Sequence, residues 1–147
     1  MFNCMSQKSE KQETSKPINS LKIKNLIKEK RFAILRLTDT IVRLKISKTL
    51  IDGTSNEYYN KLTVVDTLST SAATTITNTL VDDNSYDWEV QIDKGRFDPE
   101  HQLLLKSKAG QLTVLFDTKA NAIGFIDLLG QEIVGYKPKV MTLLGGD

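Results

Sequence analysis

Two apolar runs near the far end of the chain, Leu103-Leu104-Leu105 and Leu112-Thr113-Val114-Leu115-Phe116, flank the turn Lys106-Ser107-Lys108-Ala109-Gly110. Short apolar runs joined by a few polar residues ending in glycine specify a β-hairpin. From Asp117 or Thr118 the spacing changes. Ala122, Phe125, Ile126, Leu129 and Ile133 recur at intervals of three and four, which predicts one amphipathic helix ended by Gly135 and stopped by Pro138. Gly124 and Gly130 would each cost such a helix about 1 kcal/mol relative to alanine, so only docking on a sheet would hold it. The rest of the ordered chain reads as strands. The expected fold class is therefore mainly β with one C-terminal α-helix: a bent antiparallel sheet or partly open barrel capped by that helix.

Upstream, Phe32, Ile34 and Arg36 alternate with Ala33, Leu35 and Leu37, and Val42, Leu44 and Ile46 alternate with Ile41, Arg43 and Lys45. This period of two predicts an antiparallel hairpin with a basic outer stripe. Leu21, Ile23, Leu26 and Ile27 fit a short helix behind Asn19 or Ser20, or a first strand, and residues 20–30 stay open between the two. Asp52-Gly53 and Asn56 mark a loop, and Tyr58 to Val65 the next strand. Residues 63–79 hold nine Ser or Thr, and are read as part mobile loop, part strand (Thr74 to Val81). After the turn at Asp82-Asp83-Asn84-Ser85, the run Tyr86 to Asp93 alternates Tyr86, Trp88, Val90 and Ile92 with acidic and polar residues, predicting a half-buried strand.

The length of 147 residues suits one domain. Residues 1–19 read as a disordered basic arm, 20–136 as the domain and 137–147 as a tail. Charge is unevenly placed: residues 1–31 hold eight Lys/Arg against three Glu, and the remainder twelve basic against fifteen acidic groups. The sole cysteine, Cys4, excludes an intramolecular disulfide and argues against a structural zinc site. No run of eighteen apolar residues predicts a transmembrane segment, and residues 1–20 lack the apolar centre of a signal peptide. These signs favour an intracellular, cytoplasmic or nuclear setting.

Catalytic patterns are missing from the sequence. His101 is the one histidine and lies in Asp98-Pro99-Glu100-His101-Gln102, read as a loop with no strand–Ser–helix elbow anywhere. Asp82, Asp83, Asp87 and Asn84 lack the spacing of a calcium loop. No glycine-rich phosphate loop precedes a helix, and the terminal Gly145-Gly146-Asp147 is too short to act as more than a tail. The expectation is no enzyme, no metal and no cofactor. Basic and aromatic residues interleaved on a sheet face would serve nucleic acid, and Arg36, Arg43 and Lys45 with Tyr58 or Tyr59 offer that combination.

The stretch Leu26-Ile27-Lys28-Glu29-Lys30-Arg31-Phe32-Ala33-Ile34-Leu35, followed by Thr38 to Leu44, resembles the first strand, basic turn and second strand of the pleckstrin-homology-like superfold. Leu112 to Phe116 followed by Thr118 to Val134 resembles its last strand and closing helix, with Phe125 where that family carries a tryptophan. The resemblance covers roughly residues 21–136. It implies that anion-binding positions, such as those that hold inositol phosphates in lipid-binding members, fall on Lys28, Lys30, Arg31, Arg43 and Lys45.

The function expected from these features is a non-catalytic protein–protein interaction domain, an adaptor or small subunit of a larger intracellular complex. Its expected contact is the sheet edge or the groove beside the helix, supported by the apolar tail Val140, Met141, Leu143 and Leu144, which could instead fold back as a last strand or flap over the sheet. The alternative is a module binding an anionic ligand, phosphoinositide membrane or nucleic acid, through the basic region 22–45.

Overall fold

The computed structural model describes residues 18–143. The expected arm at 1–19 therefore lies almost wholly outside the described residues, as do Cys4 and Leu144.

The first element is helical. α1 (Leu21–Arg36) buries Ile23, Ile27, Arg31, Ile34 and Leu35, a stripe at intervals of four, four, three and one. Phe32 to Leu37 had been expected as a strand. That window is apolar on nearly every residue, so local alternation there carries no face information, and the stripe emerges only over four turns. The helix breaks at Lys28, whose backbone sits at φ 79°, ψ 166°. Its start is capped from a distant part of the chain: the Asp83 carboxylate accepts the N–H groups of Lys22 at 2.9 Å and Ile23 at 2.8 Å.

β1 (Thr40–Leu50) and β2 (Tyr58–Thr67) form an antiparallel hairpin, and α2 (Thr70–Leu80) follows. α2 corrects the strand expected over 74–81. Ala73, Ile76, Thr77 and Leu80 form a buried helical stripe, and Ser69 caps it by accepting the Ala72 N–H at 3.2 Å. The threonine hydroxyls that argued for extended chain are satisfied within the helix: Thr74, Thr75 and Thr79 donate to carbonyls four residues back at 2.9–3.1 Å.

β3 is only Tyr86–Asp87. The strand expected to run on to Asp93 stops there, and residues 88–100 leave the sheet. Four strands then run as a meander: β4 (His101–Ser107), β5 (Gly110–Asp117), β6 (Ala122–Asp127) and β7 (Gly130–Tyr136). The β4–β5 hairpin matches the sequence reading, with Leu103 opposite Val114, Leu105 opposite Leu112 and Ser107 opposite Gly110. The helix expected over Thr118 to Val134 does not form. Its residues form the β6–β7 hairpin, in which Phe125 faces Glu132 and Ile123 faces Val134. The residues at three- and four-fold spacing also alternate in pairs, and β-branched side chains with two glycines favour the extended form. Gly130 turns this hairpin at φ +142°. A short α3 (Lys139–Leu143) ends the described chain.

The strands form one sheet of order β2-β1-β4-β5-β6-β7-β3, antiparallel at every pair. One face, called inner here, carries Ile41, Leu103, Leu105, Leu112, Val114, Phe116, Ile123, Phe125, Val134 and Tyr136. These pack with Ile23, Ile27 and Leu35 of α1 and Ile76 and Leu80 of α2 into one core. The fold class is thus a mainly β, seven-stranded antiparallel sheet with an N-terminal and a mid-chain helix. On the outer face, residues 88–100 fold over β6 and β7. Gly124 makes this possible, because a Cβ there would stand 3.1 Å from the Phe97 ring.

Candidate functional site

The helices and the 88–100 segment cover β4 to β7, and the β1–β2 hairpin runs out beyond them. β1 pairs with β4 only as far as Lys45 opposite His101, with the Ile46 N–H donating to the Glu100 carbonyl at 2.9 Å. Ser47 to Leu50 therefore pair with β2 alone, and the hairpin continues as a two-stranded ribbon with its tip at residues 51–57.

β2 is the sheet edge, and each of its ten residues is exposed. Five of them are large and apolar or aromatic: Tyr58, Tyr59, Leu62, Val64 and Val65. The register places Leu62 beside Ile46 and Val64 beside Leu44 on the outer face, so a patch spreads from the edge into the sheet. On the inner side of the ribbon lie Tyr59, Lys61 and Thr63, next to Thr49, Ser47 and Lys45. Val65 is the extra residue of a bulge, since Arg43 pairs with Asp66 and Leu44 with Val64. Soluble proteins guard long edges with proline, repeated charge or short length. From Tyr58 to Val65, Lys61 is the sole charged residue and proline is missing. The other edge, β3, is two residues long.

The base of the ribbon is anchored by polar contacts. The Arg43 guanidinium grips Asp66 through Nε and Nη2 at 2.8 Å each, which lowers the Asp66 carboxyl below its ordinary range. Lys48 Nζ lies 3.2 Å from Asp98, tying the ribbon's outer face to the crossing segment.

The sequence-derived anion site is not assembled in one place. Arg31 is buried, and its guanidinium holds Asp127 through Nε and Nη2 at 2.8 Å each and donates to the Gly130 carbonyl at 3.1 Å. This pair ties α1 to the β6–β7 turn and pulls the Asp127 carboxyl down to about 2. Lys28 and Lys30 are exposed on α1, whereas Lys45 stands on β1, three strands from β6 and hence about 14 Å across the sheet from Arg31's anchor. Arg43 is engaged by Asp66, and Arg36 lies at the end of α1. Only Lys45, Tyr58 and Tyr59 fall on the ribbon.

The tail contact also changes. Val140 is buried in the core at 1 % exposure, so it serves folding. Met141 and Leu143 belong to α3. His101 is part of β4 instead of a loop. Asp83, one of the acidic turn residues, is the α1 cap, and Asp82 accepts the Asn84 N–H. Among the described residues no group of three His, Cys, Asp or Glu is placed to hold a metal. Among the described residues no helix is long and apolar enough to cross a membrane.

A sheet edge is an expected contact, but which strand forms it is not legible, because Tyr58 to Val65 reads as any half-buried strand. The signal that it differed was the lack of a clean polar face, with Leu62, Val64 and Val65 on both parities. A shallower feature is the β6–β7 turn, where Leu128 is fully and Leu129 largely exposed. Comparison with protein-family models, curated proteins and solved structures finds no match for this chain.

Proposed function

We propose that this chain is a non-catalytic protein-interaction domain, a small subunit or adaptor of a larger assembly, and that it binds through the β2 edge of its ribbon. The observation that carries this reading is the ten-residue edge strand exposed throughout, with Tyr58, Leu62 and Val64 forming an apolar outer face and Tyr59 on the inner one. Such an edge offers main-chain donors and acceptors to an incoming strand, with side-chain contacts above and below it for selectivity. The apolar residues around it supply the desolvation energy, about 25 cal/mol for each Å² buried.

The test is purification of the full chain with whatever it holds, beside Leu62→Asp combined with Val64→Asp. A stoichiometric polypeptide retained by the wild type and lost by the variant is the expected result. Equal recovery by both, or the absence of both a retained polypeptide and a dimer of the chain itself, sinks the reading. Both substitutions are on exposed side chains, so circular dichroism should be unchanged.

A second reading keeps the anionic ligand, because Lys45, Lys61 and Tyr59 share the inner side of the ribbon. Oligonucleotide or phosphoinositide-vesicle binding that falls steeply with salt, and is lost on Lys45→Glu with Lys61→Glu, would favour it.

A further inference from the structure

We propose that the occupant of the β2 edge is a second copy of this chain, paired antiparallel along β2 about a two-fold axis through Asn60. This rests on the reading of β2 as the binding edge and names what binds there.

The ladder decides which backbone groups are available. The Ile51 N–H donates to the Glu57 carbonyl at 2.8 Å, so Ile51 and Glu57 form a hydrogen-bonded pair. Alternation along an antiparallel ladder then makes Thr49/Tyr59, Ser47/Lys61 and Lys45/Thr63 the bonded pairs. The Ile46 N–H, bonded to β4 instead, agrees with this alternation. The N–H and C=O groups of Tyr58, Asn60, Leu62 and Val64 therefore face outward from the sheet.

Two copies of β2 can meet only with outward residues opposite outward residues, which puts the axis through a residue. An axis at Lys61 sets the two ammonium groups directly opposite each other, which is destabilising. An axis at Leu62 sets Tyr59 against the bulged Val65 and Tyr58 against Asp66, beyond the break in the ladder. An axis at Asn60 uses the regular stretch Tyr58 to Leu62 throughout. Tyr58 then faces Leu62 of the second copy on the outer side, twice, and Tyr59 faces Lys61 on the inner side, twice. Glu57 lies diagonal to the other copy's Lys61, placing opposite charges on one side. Lys61 thus receives an aromatic and an acidic neighbour, where an axis through Lys61 itself sets it against its own kind.

A strand-edge contact falls at the small end of protein interfaces, below about 1,200 Å². The dimer is accordingly concentration-dependent. Sedimentation of the full chain from about 1 µM to about 1 mM should show the mass rise from monomer toward dimer. Amides of Tyr58, Asn60 and Leu62 should gain hydrogen-exchange protection over the same range. Asn60→Pro removes an N–H that faces away from β1, so the monomer should keep its circular dichroism and remain monomeric at every concentration. In a Cys4→Ser background, Asn60→Cys should cross-link to a dimer on oxidation, because paired residues on the axis stand about 5.5 Å apart at Cα. Leu62→Cys should not. A monomeric mass throughout, dimerisation of Asn60→Pro at the wild-type concentration, or cross-linking at Leu62 in place of Asn60 overturns the proposal. If the chain stays monomeric yet retains a partner that Leu62→Asp with Val64→Asp loses, the edge-binding reading stands and the second copy falls. If neither partner nor dimer is found, both fall.

Discussion

Lys28 holds a backbone conformation, φ 79° and ψ 166°, that a residue with a Cβ adopts only at a cost of about 1–3 kcal/mol. Glycine adopts it without that penalty, so Lys28→Gly is expected to stabilise the fold by about 1 kcal/mol and raise Tm by roughly 2–4 °C. Lys28→Ala should give no such gain in the same melting experiment. Arg31 is the second residue whose role depends on its surroundings. Its side chain is 9 % exposed and that of its partner Asp127 18 %. Arg31→Met leaves the carboxylate without its two donors and is expected to cost roughly 1–3 kcal/mol in urea unfolding at neutral pH. The hydrogen bond from Arg31 is the main reason the Asp127 carboxyl sits near about 2, below its ordinary 3.8. A carboxyl depressed on folding stabilises the native state above the unfolded value and loses that contribution as pH falls. The gap between wild type and Arg31→Met should therefore narrow from about pH 4 down to about pH 2. The sequence marked Arg31 as a cation, and nothing local could show that a carboxylate nearly a hundred positions later would neutralise it.

At the scale of elements, the helices depend on contacts distant in sequence. Ser20 gives α1 no side-chain cap; Asn19 Oδ1 accepts the Leu21 N–H at 3.2 Å, and the Asp83 carboxylate accepts those of Lys22 and Ile23. The Trp88 indole N–H donates to the Asp83 carbonyl at 2.9 Å, and the Tyr86 hydroxyl donates to the Leu80 carbonyl. The end of α2, the start of α1 and β3 are thus bound as one unit. Asp83→Ala is expected to cost about 1–2 kcal/mol, read as a lower denaturant midpoint with an unchanged slope, and Asp83→Asn should recover part of it. α2 illustrates why the Ser/Thr-rich segment was misread: its threonines disfavour a helix in isolation, and burial of Ile76 and Leu80 against the sheet outweighs that preference. The β4–β5 hairpin needed no such help. Its two apolar runs and the glycine of its turn agree on one register, so local and long-range forces select the same structure.

Across the whole molecule, burial is concentrated between the helices and the inner face, at β4 to β7, and runs out along the ribbon. Tyr136 lies in that centre, 2 % exposed, its ring edge-on to Phe116 with centroids 6.0 Å apart. Its hydroxyl meets no hydrogen-bond partner among the described residues. Burial, with Glu100 and Asp117 nearby, pushes its ionisation up to about 12. A tyrosine raised on folding leaves stability intact below its unfolded value of about 10 and withdraws it as pH climbs toward 12. Tyr136→Phe is expected to be neutral or slightly stabilising at pH 7. It should also soften the loss of stability between pH 10 and 12 in chemical denaturation. Part of that loss will remain, because burial also raises the fully enclosed Tyr86.

Residue pattern alone determined the β4–β5 hairpin, the strands at 41–46 and 58–65, the turns at 52–56 and 82–85, and a chain without a recognisable catalytic motif. It left residues 20–30 open between helix and strand and placed one helix where a hairpin forms, because apolar residues spaced at three and four also satisfy an alternating pair of strands. Only tertiary packing chose between them, by giving the inner face to Ile123, Phe125 and Val134 and the facing layer to α1 and α2. The sequence hinted at the exposed edge only through the missing polar face of Tyr58 to Val65. A strand's residues state which side chains are apolar, but whether a neighbour covers them depends on where β2 falls in the sheet, and that order is set by contacts the chain makes far from itself.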